Sequence, residues 1–300
     1  MATKRKKDNK RPQPLAPPPA MRSRKKARVV TSLFHKYTRE LDEAMREDRT
    51  DKVDELQGKL KELGGREAYQ QASQLSTSFF STSKWVLGHL ARSGWLYGIR
   101  EDKKRRRVLQ LLEVGAINTE LLEAAKQTKV LEDGTQVSKY RLSTRAIDLR
   151  ASQDGIEEAD FLTFPLNNYD VVVCSMVINC VPRPEQRGLM LARLYHQLLP
   201  GGLCFLTLPR LCLNQSPYTS TERFKRLLTE TGVGFQLEDS KESPKVAFFI
   251  LRRPMHENTS FDNFDLQWTT SKVINRGKKF RNVFDVTLKA DEVDGSGLTI

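Results

Sequence analysis

Long apolar runs are missing from this chain of 300 residues. None approaches the roughly 20 residues a membrane span needs, and the first residues hold no apolar core of a secretory signal. Cysteine is scarce as well: Cys174, Cys180, Cys204 and Cys212 lie in or beside apolar, strand-like segments and form no Cys-x-x-Cys pair. The nearest histidine, His196, sits in a helix-like run. A zinc site is therefore not expected, and reduced thiols buried in an intracellular protein are. Glycine is short where a dinucleotide fold would need it, because Gly115 stands alone in place of the three of Gly-x-Gly-x-x-Gly. No Tyr-x-x-x-Lys or hydride-site histidine accompanies it, which argues against a NAD-dependent dehydrogenase. Acid is nearly absent from residues 1–28, which hold eleven Lys/Arg against Asp8 alone. That stretch carries +10 of the net +13, and the other 272 residues carry only +3.

The positive charge thus belongs to a tail. With Pro12, Pro14, Pro17, Pro18 and Pro19, residues 1–28 are expected to be disordered. The clusters Lys4–Lys7 and Arg22–Arg28 suit a nuclear import signal or a polyanion-binding arm, so a nuclear or nucleolar address is expected. Residues 29–100 read as a helical region. Leu33, Phe34, Tyr37, Leu41, Met45, Val53, Leu56, Leu60 and Leu63 recur at helical spacing until Gly64-Gly65 stops the pattern. Arg66–Gln74 reads as a further helix. It leads through a turn rich in hydroxyls (Ser76, Thr77, Ser78, Ser81, Thr82, Ser83) to Lys84–Leu90.

From residue 101 to 253 strands and helices alternate. Val108–Val114 reads as strand one, and Asn118–Gln127 as its helix. Gln127–Lys139 is a polar insertion, Arg145–Leu149 strand two and Asp160–Thr163 a short strand three. Tyr169–Ser175 holds the uninterrupted apolar run Val171–Cys174, as a central strand covered on both faces requires. Arg187–Leu199 is a helix stopped by Pro200-Gly201-Gly202, Leu203–Leu208 strand five, and Thr221–Thr231 another helix. Phe235–Glu238 and Val246–Arg252 form a hairpin around Ser243-Pro244. This predicts an α/β fold with a doubly wound, mostly parallel sheet and helices on both faces. Ligands in such sheets bind beyond the carboxyl ends of the strands. Residues 254–300 form a weakly patterned C-terminal extension, in which Gly277–Leu288 packs as a small addition.

Four segments carry a resemblance: LLEVGAIN at strand one, AIDLR at strand two, ADFLTFP at strand three and YDVVVCSMVINCVP at strand four. With LLPGGLCFLTLP after them, the chain resembles a class I S-adenosylmethionine-dependent methyltransferase, with a Rossmann-like, seven-stranded sheet. The resemblance implies that Gly115 meets the methionine portion of the cofactor. It implies that Asp148 binds the ribose hydroxyls, a role for a carboxylate with no competing donor. Asp160 and Phe161 would hold the adenine by hydrogen bond and face contact, and Ser175 would face the same crevice. The acidic Glu113 sits two positions before the glycine.

Adding AYQQAS (Ala68–Ser73), Ser83-Lys84-Trp85, VLQLLEVGAIN, RAIDLR and CSMVINCVP, residues from Met21 to Arg253 are similar to the fungal 25S ribosomal RNA adenine-N1 methyltransferase family. That implies S-adenosylmethionine as cofactor and 25S rRNA or a pre-60S particle as partner, with no metal. It also implies that Ser83-Lys84 lies against the cofactor site. Adenine N1 holds its own lone pair at neutral pH, so no general base is required, and none stands out; Ser175 and Asn179 are placed to read the base edge. Animal relatives in the broader family resemble S-adenosylmethionine sensors acting through protein partners in TOR signalling, which leaves a non-catalytic alternative. The +10 arm favours RNA.

Overall fold

The computed structural model describes residues 23–77, 82–98, 108–151, 153–229, 231–255 and 264–298. The chain divides into two compact units, Met1–Phe80 and Ser81–Ile300. The first holds α1 (Arg24–Arg46), α2 (Thr50–Glu62) and α3 (Gly65–Thr77). Ala27, Val30 and Ala72 are buried together there, with Leu63, Ala68 and Leu75 against them. Phe34 stacks on Tyr69 with ring centroids 4.5 Å apart. The basic cluster at residues 22–28 departs from the expected disordered tail, because α1 already begins at Arg24. Ser23 caps it, accepting from the Lys26 N–H at 3.3 Å, and the buried Ala27 and Val30 extend the apolar stripe upstream. Residues 1–22 lie outside the described residues.

The second unit opens with α4 (Thr82–Arg92) and a 3-10 turn, Trp95–Tyr97. Sequence pattern places both in the helical region ending at residue 100. Val86, Leu90, Trp95 and Leu96 instead bury themselves on the sheet, which moves the boundary to residue 80.

In chain order the unit continues with β1 (Leu109–Val114), α5 (Glu120–Lys126), β2 (Thr128–Val130), β3 (Gln136–Ser138), β4 (Leu142–Asp148), β5 (Ile156–Glu158) and β6 (Tyr169–Ser175). Then come α6 (Pro184–His196), β7 (Leu198–Pro209), α7 (Leu211–Asn214), α8 (Thr221–Leu228), β8 (Gln236–Glu242), β9 (Val246–Arg252) and α9 (Ala290–Val293). Seven strands form one sheet in the order β5-β4-β1-β6-β7-β9-β8. β9 alone runs against its neighbours; the pairings β4–β5, β1–β4, β1–β6 and β6–β7 are parallel. The strand order reverses between β1 and β6, so a ligand crevice is expected above Val114 and Ser175.

The two faces separate by strict alternation. Leu112, Val114, Val172, Cys174, Cys204 and Leu206 pack under α6 and α8. Leu109, Leu111, Val171, Val173, Leu203 and Phe205 pack under α4 and α5. Each such fully buried side chain is worth about 2 kcal/mol of transfer free energy. Trp268, Phe284, Val286, Leu288 and Val293 from the C-terminal extension close the α6/α8 face. Gly188 of α6 permits this, since a Cβ there would lie 1.8 Å from the Thr287 carbonyl oxygen.

Three further differences from expectation are local. Strand three is Ile156–Glu158 and not Asp160–Thr163, because the later residues turn, with Asp160 Oδ1 accepting from the Leu162 N–H at 2.9 Å. The polar insertion is a two-stranded hairpin, β2 with β3. Pro200-Gly201-Gly202 lies inside β7, absorbed as a register shift against β6 between Tyr169 and Val171.

Candidate active site at the sheet switch point

β1 ends in a left-handed residue, Gly115, at φ +73°. Its N–H and that of Ala116 both donate to the Ile147 carbonyl, at 2.8 and 2.9 Å, so the turn is held flush with the end of β4. A Cβ at Gly115 would stand 2.2 Å from Val177 Cγ2. Only a glycine leaves the backbone open here. β6 ends just as sharply: Met176 takes φ +61°, a conformation that L side chains rarely adopt. Its N–H donates to the Thr207 carbonyl at 2.9 Å, which swings Val177 over Gly115. Non-glycine backbone in this region stores on the order of 1–2 kcal/mol, and such strain gathers at functional sites.

Counting by twos along the paired strands places Asp148, Gly115, Ser175 and Thr207 in one row at the carboxyl ends of β4, β1, β6 and β7, on the α4/α5 face. Ser175 Oγ lies 3.0 Å from Thr207 Oγ1 and 2.8 Å from Thr82 Oγ1 at the start of α4. The hydroxyl chain thus joins two strands to a helix whose N-terminus carries partial positive charge. Asp148 Oδ1 accepts the Arg150 N–H at 2.9 Å, which fixes the carboxylate at the strand end. Two residues below the row, Glu113 is buried, and its Oε2 has no partner among the described residues. Burial, aided by the nearby Glu120 carboxylate, pushes its pKa up to about 8.

Asp160 is exposed just beyond β5. Phe161 behaves differently from the expected face contact. Its ring is only 3 % exposed and belongs to the core under α6, so what this position can offer a ligand is its backbone. Arg193 of α6, almost fully buried, holds the turn. Its guanidinium donates to the Phe161 carbonyl at 3.1 Å and to the Phe164 carbonyl. On the other flank Asn179 Nδ2 contacts Cys180 Sγ at 3.4 Å, while its buried Oδ1 has no protein donor among the described residues.

Of the sequence-predicted residues, then, Gly115, Asp148 and Ser175 come together in one row. Asp160 lies after the next strand, and the Phe161 ring lies outside the crevice. Thr207, Arg193 and the burial of Glu113 were missed. The signal for Thr207 was a lone hydroxyl in the apolar run LCFLTL. Of the hydroxyl-rich turn, Ser76 and Thr77 end α3 and Thr82 and Ser83 open α4, while Ser78 and Ser81 lie outside the described residues; Ser83 is buried and Lys84 is exposed. No group of three His, Cys, Asp or Glu among the described residues suits a metal ion.

The arrangement fits S-adenosylmethionine. An orphaned buried carboxyl answers a cationic ligand, the open Gly115 backbone admits its approach, and the Asp148 carboxylate accepts two hydroxyl hydrogen bonds.

Comparison with known proteins agrees with this geometry. A protein of Saccharomyces cerevisiae, 25S rRNA (adenine(2142)-N(1))-methyltransferase, is 26% identical over 204 residues, 65% of this chain and 53% of that protein. The chain thus spans about half the length of the curated relative it matches. Among solved structures, an S-adenosylmethionine-dependent methyltransferase from Clostridium acetobutylicum matches at 10% identity and TM-score 0.43, covering 60% of this chain and 95% of that one. The N-methyltransferase NodS from Bradyrhizobium japonicum in complex with S-adenosyl-l-homocysteine matches at 16% identity and TM-score 0.34, covering 61% and 97%. The strand order itself is that of a class I S-adenosylmethionine-dependent methyltransferase. Residues 54–286, most of the chain, match the family described as 25S rRNA (adenine(2142)-N(1))-methyltransferase, Bmt2. The chain belongs to that family.

Proposed function

We propose that this protein methylates N1 of an adenine in large-subunit ribosomal RNA. The observation that carries the reading is the Asp148–Gly115–Ser175 row beside an orphaned Glu113, in a chain of this family. Bound S-adenosylmethionine supplies an electrophilic methyl group. The chain supplies alignment: Gly115 gives access, Asp148 holds ribose hydroxyls, Asp160 with the Phe161 backbone borders the adenine, and Glu113 balances positive charge. Because adenine N1 is already a free lone pair, alignment is the main demand on these residues. N1 lies on the pairing edge, so the target base must be unpaired or flipped out. The +10 tail, a nuclear and nucleolar address and engagement of a pre-60S particle belong to the same reading.

Primer extension across 25S rRNA reads N1 methylation as a stop. The stop is expected with wild-type protein and lost with Asp148→Ala; its survival in the variant would remove Asp148 from the site.

Asn179 gives a second test. Its unpaired Oδ1 suits the exocyclic amine of adenine, and a lost buried acceptor costs about 1–3 kcal/mol. Asn179→Ala should lower kcat/KM for RNA roughly 10- to 100-fold, with S-adenosylmethionine affinity unchanged by calorimetry. A variant with wild-type kcat/KM contradicts that role.

A further inference from the structure

The second unit carries a patch of charge that the crevice does not use. Residues 266–284 contain Lys272, Arg276, Lys278, Lys279 and Arg281 and no acid. The second unit, residues 81–300, sums to +5, so without this segment the remainder is neutral. All five cations are exposed, and among the described residues none has an acidic partner. Arg281 Nε donates to the Lys278 carbonyl at 2.7 Å, and the Lys279 ammonium lies 4.8 Å from the Phe280 ring centroid. A charge run is most often a solvated face. This one is shaped and anchored.

The segment forms no helix or strand between Thr269 and Lys289, yet its backbone is pinned. Asn275 Nδ2 donates to the Ser216 and Thr219 carbonyls at 3.0 and 3.1 Å. The N–H groups of Ile274 and Asn275 both donate to the Pro217 carbonyl, and that of Asn282 to the Gln215 carbonyl. Ser216 Oγ, fully buried, donates to the Phe284 carbonyl at 2.5 Å. These partners all belong to the loop between α7 and α8, one short helix beyond the carboxyl end of β7. The far end is tied to the loop leaving β6: Arg187 donates to the Asp285 carbonyl at 2.7 Å and to the Val181 and Pro182 carbonyls at 2.8 and 3.0 Å. The strap therefore rides on the two connections that continue from Ser175 and Thr207, at the crevice end of the sheet.

We propose that this strap, Lys272 to Arg281, is the surface on which the catalytic unit holds the phosphate backbone of its RNA substrate beside the crevice. The inference rests on the RNA reading above and adds where the folded body meets the strand. Five exposed cations with no acid between them in the sequence are complementary to a polyphosphate. Because the backbone beneath them is already fixed, less ordering entropy is lost on binding.

The test uses the full chain with all five cations changed to Gln, against wild type. Binding to unmodified 25S rRNA and to an unrelated single-stranded RNA is measured from 50 to 300 mM KCl. Each single-stranded phosphate contact contributes about 0.7 to the slope of log K against log salt. The variant slope should fall by about 2 to 3.5, and kcat/KM for 25S rRNA by about tenfold or more. S-adenosylmethionine affinity and Tm should hold. An unchanged slope overturns the proposal, as does loss of binding to polyglutamate with RNA binding intact, which would mark an acidic protein partner. Should the fivefold variant lose Tm, Lys278→Glu with Lys279→Glu repeats the slope measurement on two exposed side chains. If wild type leaves no N1 stop on 25S rRNA while the variant still loses salt slope, the methylation reading fails and the strap stands.

Discussion

Gly115→Ala is expected to abolish S-adenosylmethionine binding and to destabilise the second unit by about 3 kcal/mol. Two independent causes add. An alanine held at φ +73° is strained by about 1–2 kcal/mol, and its Cβ would stand 2.2 Å from Val177 Cγ2, an overpacking that costs about 1–3 kcal/mol. Val177 cannot retreat freely, because the turn that carries it is fixed by the hydrogen bond from the Met176 N–H to the Thr207 carbonyl. The same methyl group closes the approach to the backbone that a glycine leaves. Adding Val177→Ala should restore part of the stability by removing the clash, while the φ strain persists. A coupling of more than about 1 kcal/mol in a urea-denaturation double-mutant cycle is the expected result. Calorimetric titration with S-adenosylhomocysteine completes the test. Wild-type affinity in Gly115→Ala would show that the ligand does not pass over this turn.

Glu113→Gln is expected to flatten the pH dependence of stability. The Glu113 carboxyl holds its proton to about pH 8 in the folded chain, against an ordinary value of 4.5. At pH 4 and below, both folded and unfolded chains are protonated there, and the group makes no difference. Between 4.5 and 8 the unfolded chain has released the proton and the folded chain has not, so stability falls steadily as pH rises. At 1.36 kcal/mol per unit, the accumulated loss by pH 9 is about 5 kcal/mol. The amide that replaces the carboxyl in the variant carries no such proton. The difference in unfolding free energy between variant and wild type should therefore grow from near zero at pH 4.5 in favour of the variant. Chemical denaturation at half-unit steps to pH 9 measures it, and parallel curves would show that Glu113 ionises normally.

The cofactor should reverse this preference. A cation near Glu113 draws its pKa down, so binding at pH 7 releases close to one proton in wild type and none in Glu113→Gln. Calorimetry in buffers of different ionisation enthalpy counts that proton. Wild-type stability should then gain more from saturating cofactor than the variant does.

Much of the fold was legible in the residues because it rests on periodicity. YDVVVCS is apolar at every position except its ends and Asp170, which is what a strand covered on both faces demands, and β6 is that strand. LLEVGAIN announced the turn at Gly115, since a left-handed residue between strand and helix is a local requirement. Where pattern was weak the reading slipped. ADFLTFP looked like strand three for its apolar content, yet the three residues before it pair with β4 and it forms the turn that Arg193 holds. The Phe161 ring was assigned to the ligand on its neighbourhood with Asp160, but core packing under α6 claimed it.

The division follows from the range of the forces involved. Hydrophobic alternation, glycine turns and charge segregation act over a few residues, so the α/β class, the turn at Gly115, the strand-end positions of Asp148 and Ser175 and the basic charge of residues 1–28 could be read directly. Side chains brought together from distant elements obey no local rule. Thr82 meets Ser175 across 93 residues and Arg187 meets Asp285 across 98. Glu113 could be seen as an acid beside a glycine. Only the packing of α4 and α5 over β1 turned it into a buried carboxyl whose Oε2 has no partner among the described residues, and only the anchoring of the C-terminal segment set five cations at the crevice end of the sheet.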